Sequence, residues 1–138
     1  MLYKLGITPF IQQQERIRFG QLENLYAIAF YHALSSSKFS NLQFFLSGAA
    51  ANHSFLYGLL YVLENVKPKA ILELGSGMTT NLTHAYAAQE PDSKVITLEE
   101  DEGWATIIRA RGLRDSDNFH LITSPLKPIL FDEKETFW

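Results

Sequence analysis

Between Gln21 and Leu34 apolar residues return every three or four positions, so that Leu22, Leu25, Tyr26, Ala29 and Phe30 line one stripe of a helix. That stripe is expected to lie in the core. The stretch SSSKFSN at 35–41 is small and mostly polar, which predicts a loop. A second helical pattern runs from about Asn52 to Val66. There Phe55, Leu56, Leu59, Leu60, Val62 and Leu63 give a broad apolar face suited to lie against a sheet. Pro68 closes it, because the residue before a proline disfavours helical backbone angles.

Beyond Pro68 the pattern changes to short apolar runs rich in Ile, Val and Leu: AILEL (70–74), KVITLE (94–99) and FHLITS (119–124). Such runs predict parallel strands buried on both faces. TTNLTHAYAAQE (79–90) reads as a helix closed by Pro91-Asp92. DEGWATIIRARGL (101–113) reads as another, with Trp104, Ile107 and Ile108 on one face and Gly112 as its C-terminal cap. Strand, helix, strand, helix, strand implies right-handed parallel crossovers in an α/β unit. Residues 1–45 form a helical extension in front of it.

Composition narrows the function classes. With 138 residues and 46% hydrophobic content the chain can build one real core but not two. A net charge of −3 gives no basic face for nucleic acid or an anionic membrane. The absence of cysteine removes disulfides, thiolate metal sites and thiol nucleophiles. No apolar run reaches the roughly 18 residues of a membrane span, and MLYKLGITPFIQQQERIRFG lacks a signal-peptide core, so a cytoplasmic location is expected. The sequons at Asn52 and Asn81 then read as chance matches. His32, His53, His84 and His120 show no metal-ligand spacing.

The candidate chemistry sits where the first strand ends, at Glu73-Leu74-Gly75-Ser76-Gly77. In an open parallel sheet ligands bind beyond the carboxyl ends of the strands. Gly75 and Gly77 let the chain turn tightly and a ligand approach closely, and the helix that follows offers free N–H groups. Glu99 closes the second strand 24 positions after Gly75, close to the distance at which an acid meets a ribose diol. Together these features point to a nucleoside-containing ligand. The third glycine of a dinucleotide fingerprint would fall at Thr80, and no lysine occurs for a P-loop.

ELGSGMTT followed by VITLEED resembles motifs I and II of class I S-adenosylmethionine-dependent methyltransferases. With FHLITSPL added, residues 46–138 look like bacterial methyltransferase-like proteins whose first turn reads Glu-x-Gly-Ser-Gly-x-Ser-Thr. That resemblance implies a Rossmann-like parallel sheet over 46–138, broken off after the third strand, and S-adenosylmethionine as cofactor. It places Gly75, Ser76 and Gly77 under the methionine portion, Glu73 toward the ammonium group, Glu99 at the ribose, and Met78 and Thr79 at the close of the turn. It leaves the catalytic residues and the methyl acceptor unassigned, with a small molecule preferred over nucleic acid. Where many relatives carry an acid after the third strand, this chain has Thr123-Ser124-Pro125-Leu126. The family also continues through further strands. The expectation is therefore a truncated, cofactor-binding front half whose open first strand invites dimerisation.

Two other readings stay open: a non-catalytic module that binds a nucleoside or acts through protein association, and a nicotinamide dinucleotide-binding fold, against which the missing third glycine counts. Glu100, Asp101 and Glu102 read as a helix N-terminus, Arg109, Arg111 and Arg114 as solvated or dipole-complementing charges, and Trp104 as a packing anchor.

Overall fold

Right-handed crossovers between neighbouring parallel strands place both connecting helices on the same side of a sheet. The computed structural model follows that rule; it describes residues 7–44, 51–131 and 134–137. In chain order the elements are α1 (Ile7–Ser35), α2 (His53–Asn65), β1 (Ala70–Leu74), α3 (Met78–Gln89), β2 (Lys94–Glu99), α4 (Glu102–Ala110), β3 (Phe119–Thr123), β4 (Pro128–Phe131) and β5 (Lys134–Phe137). The three expected strands form one parallel sheet in the order β1-β2-β3. β4 and β5 make a separate antiparallel hairpin that the sequence pattern did not announce. The boundary drawn between residues 45 and 46 lies outside the described residues.

The core lies between the sheet and its helices. Val95, Phe119 and Leu121 from the strands meet Leu82 and Tyr86 of α3, Ala105 and Ile108 of α4, and Leu56, Leu60 and Leu63 of α2. The opposite face corrects the expectation of strands buried on both sides. Leu72 is 64% exposed and Leu74 71%, and Ile96, the register partner of Leu72, and Ile122, in register with Leu74 through Leu98, share that uncovered face. The physical reason is the one-sided placement of α3 and α4. Trp104 and Ile107 are also half exposed, so α4 buries Ala105 and Ile108 instead.

The two edges of the sheet differ. On β3 the Leu121 N–H donates to the Asp115 carboxylate at 2.7 Å, and the Leu121 carbonyl accepts from the Arg109 guanidinium at 2.8 Å. These side chains occupy the positions a further strand would take, which blunts edge pairing. Arg109 is thus an edge cap, a role its place near a helix end did not suggest. β1 is the other edge, and its exposed Leu72 and Leu74 keep it apolar.

α1 is longer than its stripe implied. Its 29 residues span about 44 Å, and only the last turns reach the core. Phe30 and Leu34 are buried there, whereas Leu22, Leu25 and Tyr26 are exposed, a second correction. The expected loop follows, but Phe39 folds back into the core. Asn52 caps α2 by accepting from the Phe55 N–H at 3.0 Å. Glu23 of α1 accepts from the His53 N–H at 3.0 Å and the Ser54 hydroxyl at 2.6 Å, pinning the two helices together. Phe55 and Val62 remain exposed, because α2 packs between α1 and α3. Lys67, at φ 53°, takes the left-handed conformation that ends α2 before Pro68.

Candidate functional site

At the carboxyl end of β1 the ladder runs one residue past the strand, with the Gly75 N–H donating to Leu98 O at 2.8 Å. Gly75 then turns at φ 81°, a region that favours glycine. A Cβ built at Gly75 or at Gly77 would meet nothing within 4 Å, so the space above the turn is open to a ligand. Gly77 is the N-cap of α3, and its N–H donates to the Thr80 hydroxyl at 2.8 Å. Met78 and Thr79 begin the helix, and N–H groups at such positions have no helical acceptor. They contribute the partial positive charge of a helix start.

Glu99 is brought to this turn. It is 6% exposed, and its Oε2 accepts from the Ser76 N–H at 2.7 Å and the Ser76 hydroxyl at 2.6 Å. Its Oε1 accepts from the Asp101 N–H at 3.0 Å. Trp104 completes the link by donating its Nε1–H to Ser76 O at 2.9 Å. One acid and one indole therefore tie the β1–α3 turn to the β2–α4 turn. Asp101 caps α4 through the Trp104 N–H at 2.8 Å, and Arg111 lies over the Trp104 ring, 5.4 Å from its centroid.

Burial acts most strongly on the Glu99 carboxyl and alone would push its pKa up. The Ser76 hydroxyl and the N–H groups of Asp101, Ser76 and Glu100 together outweigh it, and the net pKa lies below the ordinary carboxylate value. A depressed folded pKa stabilises the fold fully above the unfolded value and loses that stabilisation as pH falls through the folded one. Glu23, held low chiefly by the Ser54 hydroxyl, acts in the same direction. Thermal melts across acid pH should therefore show stability falling from about pH 5 downward, with a shallower fall in Glu99→Gln.

Glu73 lies on the helix-facing side of β1, and the hydroxyls of Thr79, Thr83 and Thr97 all donate to its carboxylate, Thr97 at 2.8 Å. Among the expected site residues, Gly75, Ser76, Gly77 and Glu99 converge on one crevice. Glu73 and Thr79 pair with each other beneath it, and the Met78 sulfur receives the Asn81 amide at 3.9 Å. The sequence reading missed Thr97 and Thr83 as partners of Glu73, and Trp104 as more than packing. Alternation along β2 was the available signal for Thr97, which shares a face with Glu99. Thr123, the register partner of Glu99, carries a buried hydroxyl without a hydrogen-bond partner among the described residues.

A cavity of about 600 Å³ opens at the other end of the sheet, against His84, Ala87, Pro91, Ser93, Lys94 and Asn118. It adjoins the strand starts and the C-terminal end of α3, where the helix offers carbonyls in place of free N–H groups. The carboxyl-end crevice is the better site, since it joins backbone donors to a buried acid. No protein-family model matches the chain, and no curated protein matches it.

Proposed function

We propose that the chain is the S-adenosylmethionine-binding part of a class I methyltransferase. The observation that carries this reading is the meeting of Glu99 with the Gly75-Ser76-Gly77 turn, at 2.6–2.7 Å, beyond the carboxyl ends of a parallel sheet. A nucleoside ligand needs a carboxylate for its ribose hydroxyls and backbone room for the chain attached to the sugar. Both lie in this crevice, and the open space above Gly75 and Gly77 fits such a group.

In this reading Glu99 holds the ribose, and the backbone from Gly75 to Gly77 passes under the methionine portion. Met78 and Thr79 close the turn. Glu73 faces the ammonium group with the acceptor capacity its three threonines leave, since a carboxylate has about four lone-pair sites. The cofactor supplies an electrophilic methyl group. The protein's share is to hold donor and acceptor in line. The acceptor is read as a small molecule, given the net charge of −3, and the setting as the cytoplasm.

Protein association is the second reading, favoured by the exposed Phe19, Leu25 and Ile28 of α1 and the uncovered Leu72 and Leu74. Homodimer formation belongs to it. Calorimetric titration with S-adenosylhomocysteine, repeated with NAD as competitor, separates the choices. Saturable binding that NAD does not displace is expected. Displacement by NAD would favour the dinucleotide fold, and a folded chain that binds neither while self-associating would favour the association module.

A further inference from the structure

Three donors of the protein already engage the Glu99 carboxylate. Of its about four lone-pair sites, the Ser76 N–H and the Ser76 hydroxyl take both on Oε2, and the Asp101 N–H takes one on Oε1. Two of these donors are backbone groups fixed by the turn and by the start of α4. The Ser76 hydroxyl differs, because it leaves by rotating a single side-chain bond. A ribose diol brings two hydroxyls to the one site left open, so the second must take the place of Ser76 Oγ or move the backbone.

We propose that Ser76 is a specificity-determining residue whose hydroxyl occupies the ribose-hydroxyl position on Glu99 and must be displaced by the ligand. The proposal rests on the nucleoside reading of the crevice and names the group that sets its selectivity. Ser76 Oγ and a sugar hydroxyl offer the same chemistry, an O–H donor to a carboxylate oxygen. Trp104 holds the Ser76 carbonyl at 2.9 Å, so the turn stays in place while the hydroxyl leaves. Ligands with a sugar diol recover the lost bond on Glu99. Ligands without one leave Ser76 where it is and gain nothing from the acid.

Ser76→Ala should lower the melting temperature of the ligand-free chain, yet bind S-adenosylhomocysteine at least about 10-fold more tightly, the loss of one competing hydrogen bond to a charged acceptor. The analogue of S-adenosylhomocysteine lacking both ribose hydroxyls should bind wild type and variant alike. Ser76→Cys, nearly isosteric and a weak donor, should shift affinity in the same direction and guards against misfolding of the alanine variant. A merely structural serine would lower stability and affinity together. Wild-type binding with neither variant tighter, or with an equal gain for the analogue, would overturn the proposal and leave the nucleoside reading standing. Wild type that does not bind S-adenosylhomocysteine at all would overturn both.

Discussion

Glu99→Ala is expected to weaken binding of S-adenosylhomocysteine at least tenfold and to destabilise the fold in the same stroke. The substitution frees the Ser76 N–H, the Ser76 hydroxyl and the Asp101 N–H at once. Bonds to a charged acceptor contribute about 1.5–3 kcal/mol each, but removing a buried carboxylate recovers part of that, leaving a net loss of about 2 kcal/mol. For a chain of this size the melting temperature falls by about 6–10 °C. Scanning calorimetry and titration on the same sample read both effects. Unchanged stability would mean that the carboxylate does not clamp the two turns.

The larger effect on stability is expected from Phe30→Ala. Phe30 is fully buried and meets Phe44 edge-on at 5.1 Å and Tyr31 at 5.2 Å. Emptying such a site costs about 3–5 kcal/mol, a large part of the stability of a small domain. Chemical denaturation should show one transition shifted to lower denaturant. A separate early transition, with the sheet's own melt unmoved, would show that α1 is an independent extension and not part of the same core.

Much of the frame was legible because each strand and helix carries its own period. β1, β2 and the parallel order followed from short Ile/Val/Leu runs separated by helical segments, and Gly112 does adopt a positive φ, at 95°. The faces were harder. A Leu such as Leu72 reads the same whether it meets a helix or water, and only the shared handedness of two crossovers decides which side α3 and α4 cover. Leu22 and Leu25 mislead for a related reason, since periodicity marks a stripe but not how far along the helix a core extends.

At the site, the spacing of Gly75 and Glu99 was readable, and the contact of the neighbouring Ser76 with Glu99 was not. That contact depends on the N–H and hydroxyl of Ser76 reaching from the β1–α3 turn to the end of β2. Glu73 shows the converse. Its three threonine partners come from two elements, and nothing in local spacing joins Thr97 to Thr79 and Thr83.

Amide chemical-shift mapping during titration with S-adenosylhomocysteine tests the central claim most directly, because it reports place as well as binding. The account predicts saturable shifts centred on Gly75, Ser76, Gly77, Met78, Thr79, Glu99 and Asp101. Shifts confined to His84, Ser93 and Asn118 at the opposite end of the sheet, or none in a folded sample, would contradict it.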